Sequence, residues 1–293
     1  MLWILLTATA APLQVARNAL QRGLIGDAGP WGATLVRFLF GLPFSLLIFA
    51  AAWTLTPGAA AHPSALFAGA VAGGALAQMA ATAALLVAMR RAGFAVATVM
   101  QQSSLPLAAL FGWALLGDGL SPRAWAGVAL ASLGLAILSW PRRDQLRGAA
   151  GGALLGLASG AAFAVALNAF RAAGRALDPA HPIFSATASV CVAQAIQTAI
   201  LASALAALRP AALVAVARSW RASLGAGFFG AAASACWFAA LALAPAGPVR
   251  AVGVIEAPIA AAAGDRLFRE RLSPRQLAAG ALAALGVLLS ALG

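Results

Sequence analysis

The chain repeats one of its own motifs 152 positions further on. The residues Leu120-Ser121-Pro122-Arg123 return as Leu272-Ser273-Pro274-Arg275. The alignment extends without gaps to pairs on both sides, namely Pro106 with Pro258, Gly112 with Gly264, Asp118 with Glu270 and Gly134 with Gly286. Internal symmetry of this kind indicates a duplication. We therefore predict two repeats, residues 1–143 and 144–293, that together form one functional domain.

The composition excludes a water-soluble fold. Of the 293 residues, 63% are hydrophobic and only 9% are charged, and the mean hydropathy is +0.93. The formal charge of +12 would suggest nucleic acid in a soluble protein. Here, however, most of the arginines lie between apolar runs, which is typical of a membrane protein. We predict lipid contact and no nucleic-acid partner.

The apolar runs predict an all-α integral membrane protein. A spanning helix needs about 20 mostly apolar residues. Ten runs fit, at approximately 2–21, 31–53, 65–89, 94–116, 123–140, 149–173, 182–208, 221–243, 248–268 and 274–292. Because each repeat then has five helices, an odd number, the second repeat enters the membrane from the opposite side. The prediction is two inverted five-helix repeats.

The arginines also predict an orientation. Short cytoplasmic loops carry an excess of basic residues. Thirteen of the 19 arginines fall in or beside the odd-numbered loops and four in or beside the even-numbered loops. The odd loops are therefore expected in the cytoplasm, and both termini outside.

Polar side chains within the predicted spans are the candidates for function, because such groups face the interior of a helix bundle or water. Glu256 is the acidic residue that lies well inside a predicted span. It is a candidate for proton-linked transfer or for contact with a substrate amine. The alternative is a structural ion pair with an arginine, for which Arg250, Arg37 and Arg17 are the candidates.

Two glutamines and two prolines within the spans are further candidates for function. Gln78 lies near the middle of the third span, and Gln102 precedes Pro106 by four residues. Proline frees a carbonyl one turn earlier, which predicts a helix break at Pro106 and at its repeat equivalent Pro258. A polar turn beside a broken helix is typical of a binding cavity, so Gln78 and Gln102 are predicted to contact substrate.

Three further features have a packing alternative. Asn18 and Asn168 occupy equivalent positions of the two repeats, where they either bind ligand or cross-link helices. Trp237 lies inside the eighth span and offers a flat surface for a ligand, or packs against helices. The spacing of Gly152, Gly156 and Gly160 predicts close helix packing, and so does that of Gly69 and Gly73.

No enzyme motif is evident. The sequence shows no nucleophile with a plausible base and no phosphate-binding glycine loop, and its two histidines, His62 and His181, fall in predicted loops. Cys191 and Cys236 lie in apolar runs and provide no metal-ligand spacing. We predict neither a cofactor nor a metal, and the protein is not expected to be an enzyme.

With the repeated pattern of Pro, Gly, an acidic residue and Leu-Ser-Pro-Arg, the chain resembles the duplicated EamA domain of the drug/metabolite transporter superfamily. The resemblance implies a ten-helix secondary transporter with a central cavity, which moves a small-molecule substrate by alternating access. The overall layout is similar to the aromatic amino acid exporter branch of bacteria, so the inner membrane is expected. Since the sequence has no tyrosine, an aromatic surface would come from Phe163 and Trp237.

The resemblance does not specify the substrate. Amide side chains favour export of neutral or aromatic amino acids, whereas Glu256 would suit a proton-coupled exporter of drugs or cationic compounds. A scaffold or sensor that transports nothing is a further alternative. The oligomeric state, monomer or homodimer, stays open.

Overall fold

The computed structural model describes residues 1–138, 150–256, 259 and 274–292, without the side chains of Asn18 and some other helical residues. No β-strand occurs within these ranges. In chain order the helices are α1 (Leu2–Leu39), α2 (Leu42–Thr54), α3 (Ala65–Gln101), α4 (Ser104–Leu116), α5 (Pro122–Leu138), α6 (Ala150–Ala176), α7 (Pro182–Leu208), α8 (Pro210–Arg218), α9 (Trp220–Leu243), α10 (Ala246–Val252) and α11 (Pro274–Leu292). A 3-10 turn at Gly253–Ile255 follows α10.

The predicted all-helical membrane class is confirmed. Five described segments are long and apolar enough to cross a membrane: Trp31–Thr54, Ala65–Leu85, Ala150–Ala176, Pro182–Leu208 and Trp220–Leu243. Shorter apolar helices cover Leu2–Arg17, Ser104–Leu116, Pro122–Ile137, Ala246–Ile255 and Ala278–Leu292. The ten-span inverted topology stays a prediction.

The first two predicted spans meet at a kink in α1. The chain is expected to leave the helix between residues 21 and 31, and a break is present there at Gly29 (φ 67°, ψ 176°), where two helices join within Leu2–Leu39. The residue before a proline avoids the helical region, and Pro30 follows Gly29. Glycine tolerates the positive φ that results. The predicted break is therefore present, as a kink between two helices rather than as a longer loop.

The third and fourth predicted spans are joined and then broken at a different place. Helix α3 continues through residues 90–93, where a loop was expected, because Arg90, Arg91 and Ala92 are good helix formers. The break falls instead between Gln101 and Ser104, just ahead of Pro106. The break thus lies within one turn ahead of Pro106, and the loop expected at residues 90–93 is wrong. Pro258 lies outside the described residues.

The described residues form two compact units. Unit one comprises Met1–Leu76 and Ala169–Leu243, and unit two comprises Ala77–Asn168 and Ala244–Gly293. The boundaries fall within α3 and α6, so each unit contains parts of both predicted repeats. The units are therefore not the repeats, whose boundaries at 1–143 and 144–293 stay a prediction.

In unit one, α9 passes close to the backbone of the link between α1 and α2. A Cβ atom on Gly227 would meet the backbone of Phe40 and would lie 2.9 Å from the Gly41 nitrogen. Only glycine permits helices to approach this closely. Further along α9, the ring of Phe238 stacks on Phe170 of α6 at 4.1 Å between centroids.

Unit two contains an antiparallel pair of helices, α5 and α11, whose contacts follow the sequence repeat. A Cβ atom on Gly134 would meet the backbone of Ala283, and one on Gly286 would meet the backbone of Ala131. In the sequence repeat, residues 131 and 134 align with 283 and 286, so the two contacts are equivalent under the repeat. Within this pair the repeat-related helices run in opposite directions, which supports the prediction of inverted repeats.

The glycines of α6 pack as expected. A Cβ atom on Gly152 would meet Ala92, and one on Gly156 would meet Met100 at 2.6 Å. Gly160 lies against Ser103. At Gly69 and Gly73, however, no described atom lies within 4 Å of the Cβ position, so the close packing expected there is not found.

In unit one, the loop between α6 and α7 is held by hydrogen bonds. Asp178 accepts from the Ala60 N–H at 3.0 Å and from the Ala180 N–H at 3.1 Å, and its Oδ2 lies 2.8 Å from His181 Nδ1. Asp178 N–H donates to Ser185 Oγ at 2.8 Å. These bonds favour the carboxylate. The Ala60 N–H, followed by the bond to the His181 side chain, lowers the pKa of Asp178 below its ordinary value of 3.8.

This loop predicts a loss of stability in acid. Because the pKa of Asp178 is lower in the folded state, its contribution to stability is present above about pH 4 and is lost as the pH falls through the folded pKa. We expect the melting temperature of Asp178→Asn to be lower at pH 7 and to fall less than that of wild type below pH 4. His181→Gln keeps the Ala60 bond and should retain most of the acid dependence. Identical pH profiles for wild type and Asp178→Asn would contradict this.

Candidate functional site

Unit two contains a polar cluster, which we call the amide–arginine cluster: Gln102, Arg250 and Glu256. The Arg250 guanidinium donates from Nη2 to Gln102 Oε1 at 3.1 Å. Arg250 also interacts electrostatically with the Glu256 carboxylate. The cluster thus joins two of the predicted site residues through Arg250, one of the three arginines considered as an ion-pair partner for Glu256.

Irregular backbone positions these three side chains. Gln102 lies in the link between α3 and α4, ahead of Pro106. Arg250 lies in the last turn of the short helix α10, and Glu256 directly follows the 3-10 turn. Broken helices at membrane depth are tolerated where protein or water satisfies their backbone groups. The polar side chains therefore gather where two helices are interrupted, which is the arrangement expected of a binding site.

The link between α3 and α4, which contains Gln102, also contains a buried hydroxyl group. Ser103 Oγ is buried and has no hydrogen-bond partner among the described atoms. It lies against Gly160 of α6, where the missing side chain leaves space for it. A buried hydroxyl without a partner is uncommon, so this turn can accept or donate one more bond.

Asn168 is placed as a helix cross-link. It is 3% exposed, and its Nδ2 donates to the Ala108 carbonyl of α4 at 3.0 Å and to the Ala164 carbonyl of its own helix at 2.9 Å. Its Oδ1 has no partner among the described atoms and faces Gly112 of α4. The packing alternative therefore describes Asn168, and the side chain of its equivalent, Asn18, lies outside the described residues.

The other predicted residues of unit two lie on two helices. Gln78 is half-buried on α3, and its backbone carbonyl accepts from Thr82 Oγ1 at 2.8 Å. Phe163 is partly buried on α6. The substrate contacts of Gln78 and Phe163 stay predictions.

Unit one contains a second polar group, which we call the α1–α9 seam: Gln14, Arg17 and Arg37 of α1 with Gly230 and Trp237 of α9. Trp237 is 8% exposed, and its Nε1 donates to Gln14 Oε1 at 3.0 Å. The burial and the hydrogen bond fit a packing role, and contact with substrate stays a prediction. The sequence offered one signal for the seam, since Gln14 and Arg17 are one turn apart.

Other polar residues of the spans cross-link helices. Ser45 Oγ of α2 donates to Gln194 Oε1 of α7 at 2.7 Å. Gln197 Nε2, also of α7, donates to the Ala75 carbonyl of α3 at 3.3 Å. Such bonds stabilise contacts between membrane helices. A polar residue within a span is thus not by itself a mark of ligand binding.

The comparisons with known proteins address the fold and the family. Residues 1–140 match the EamA-like transporter family. A crystal structure of a protein that is 20% identical matches with a TM-score of 0.71, over 99% of this chain and 96% of that one. It is among 24 chains of solved structures that match. No curated protein matches the chain in sequence. A likeness at this identity carries the fold alone.

Proposed function

We propose that this chain, as a member of the EamA-like transporter family of membrane proteins, exports neutral or aromatic amino acids and related small metabolites. Family membership supports transport of small solutes. The substrate, the direction and a mechanism by alternating access are our proposals. The bacterial inner membrane is the proposed location, and the arginine bias supports termini that face outward.

The amide–arginine cluster is the observation that carries the proposal. Glu256 has a cation beside it in Arg250, and Arg250 also binds the Gln102 amide. A carboxylate matched by a guanidinium adds no net charge to its surroundings. Surroundings that are neutral yet rich in donors and acceptors suit a zwitterion, whose amine and carboxylate also sum to zero. A lipophilic cation would instead be favoured by an unmatched carboxylate.

A proton-coupled exporter of drugs or cationic compounds is the second candidate. Glu256 is only half-buried, so a proton or a cationic substrate has a route to its carboxylate. In this alternative the substrate and the proton compete for Glu256, and Arg250 is the group that is displaced. A scaffold or sensor, the third candidate, would bind ligands without flux.

The substrate is tested with the purified chain in sealed liposomes. We expect uptake of radiolabelled phenylalanine or another neutral amino acid that exceeds uptake into protein-free liposomes. Flux of a lipophilic cation without flux of amino acids would overturn the proposal in favour of the second candidate. Ligand-induced thermal stabilisation without any flux would favour the third.

Glu256→Gln separates the first two candidates. The glutamine keeps the size of the side chain and its capacity to accept from Arg250 but removes the charge. We expect this variant to keep more than half of the wild-type amino acid flux, because no proton needs to bind Glu256. Asp178→Asn, which removes a carboxylate outside the spans, is the control. A Glu256→Gln variant that loses its flux, beside an active Asp178→Asn, would show that transport requires the carboxylate and would favour the second candidate.

A further inference from the structure

Two arginines of α1 converge on one point of α9. Arg17 and Arg37 are 20 residues apart, which corresponds to about 30 Å in a straight helix. Even so, a Cβ atom on Gly230 would lie 3.3 Å from Arg37 Cγ and 3.4 Å from Arg17 Cδ. The kink at Gly29 is what allows both side chains to reach the same glycine.

The convergence concentrates positive charge within apolar helices. Arg17 is 6% exposed, and the two arginines are close enough for their charges to repel. An ionised side chain within a membrane helix is costly to insert. Two adjacent like charges therefore need a reason to be there.

One hydrogen-bond donor of this arginine pair is available among the described atoms of unit one. Arg37 Nε is buried and has no hydrogen-bond partner among the described atoms, while the Arg37 guanidinium lies 5.1 Å from the Phe38 ring centroid. Arg17 takes part in other contacts of the unit. Asp178 is the carboxylate among the described side chains of unit one, and it is bound to Ala60 and His181 in its own loop.

We infer that Arg17 and Arg37 bind the carboxylate of a small solute in the α1–α9 seam. The planar guanidinium presents donors in a fork that matches a carboxylate, and the unpartnered Nε of Arg37 supplies one such donor. The inference rests on the proposed function in one respect, since it makes the carboxylate of an exported amino acid the group that is bound. The binding itself does not depend on flux.

Thermal shifts of the purified full chain in detergent test the site with matched probes. 3-Phenylpropionate has a carboxylate and no amine, and phenethylamine has an amine and no carboxylate. We expect 3-phenylpropionate and phenylalanine to raise the melting temperature and phenethylamine to leave it unchanged. Arg37→Gln should weaken the binding of 3-phenylpropionate by about tenfold or more. Arg218→Gln, which removes an exposed arginine of the same unit, should bind as wild type does.

A second variant covers the case in which Arg37→Gln does not fold. Gly230→Ala keeps both charges but displaces the arginine stems by a few tenths of an ångström, because its Cβ would lie 3.3 and 3.4 Å from them. We expect carboxylate affinity to fall several-fold in this variant. Arg37→Lys keeps the charge without the fork and should recover part of the affinity lost in Arg37→Gln.

Three results would overturn the inference. They are stabilisation by phenethylamine equal to that by the carboxylate, unchanged affinity in both Arg37→Gln and Gly230→Ala, and a shift produced by phosphatidylglycerol but not by 3-phenylpropionate. The last result would assign the arginines to a lipid phosphate. If amino acids are transported while Arg37→Gln and Gly230→Ala keep the wild-type affinity, the carboxylate site is wrong and the proposed function stands. If the carboxylate binds as expected but no amino acid is transported, the site stands and the proposed function is wrong.

Discussion

Replacing Gly227 with leucine is expected to abolish folding of the chain in detergent. A Cβ atom at this position would meet the backbone of Phe40 and approach the Gly41 nitrogen to 2.9 Å. Extra side-chain atoms in a packed core usually cost about 1–3 kcal/mol, because neighbouring side chains rotate away. Here the atoms in the way belong to the backbone of the α1–α2 link, which has no rotamer to change. The cost is therefore expected to exceed that range.

The measurement is the monodisperse fraction in size-exclusion chromatography, together with the melting temperature from tryptophan fluorescence. Gly227→Ala, which adds the Cβ alone, should already lower the melting temperature. Gly73→Leu is the matched control, because Gly73 is an exposed glycine of a membrane helix with no described atom within 4 Å of its Cβ position. A Gly227→Leu protein that elutes and melts like Gly73→Leu would refute the close crossing of α9 with the link.

The second large effect is expected from Asn168→Asp, a change of one group in a buried side chain. Asn168 Nδ2 donates to the Ala108 and Ala164 carbonyls. An aspartate places a carboxylate oxygen against these carbonyls in place of the donor. It also adds a charge beside Asp118, because Asp118 Oδ2 and Asn168 Oδ1 lie 3.0 and 2.9 Å from the same Cβ position of Gly112. An uncompensated buried charge costs about 3–5 kcal/mol.

Asn168→Leu is the matched variant, since it removes the same two hydrogen bonds without adding a charge. It leaves the Ala108 carbonyl without the amide donor, which costs about 1–3 kcal/mol. We therefore expect the melting temperatures to fall in the order wild type, Asn168→Leu, Asn168→Asp. An Asn168→Asp protein as stable as Asn168→Leu would contradict the expected cost of the added carboxylate charge, because neither variant keeps the amide donors.

Several helices could be predicted closely from the sequence. The spans expected at 182–208, 221–243 and 274–292 match α7, α9 and α11 to within a residue at each end. Prolines begin α7 and α11, and proline is favoured at the first position of a helix. The two regions that differed, near Gly29 and near residues 90–93, contain helix formers beside the expected breaks. A hydrophobicity pattern cannot tell a kink from a loop there.

The candidate site was predicted in part. Gln102 and Glu256 were identified as polar residues of the spans, and the structure joins them through Arg250. From the sequence alone, Gln102 cannot be ranked above Gln194 or Gln197, which form hydrogen bonds between helices. Each of these residues is a glutamine in an apolar run. Their roles differ only through the neighbours that packing provides.

The order of residues along the chain determined that this protein belongs in a membrane and that it is helical, and its repeated motif predicts that the two halves are related. Hydrophobic length and a repeated motif are local properties, and both are fixed before any helix touches another. Tertiary structure alone decided which polar groups meet: the kink at Gly29 brings Arg17 and Arg37 to Gly230, and the break after Gln101 brings Gln102 to Arg250. Hydrogen bonds and charge pairs act over a few ångströms, and distances that short between remote residues exist only once the helices have packed.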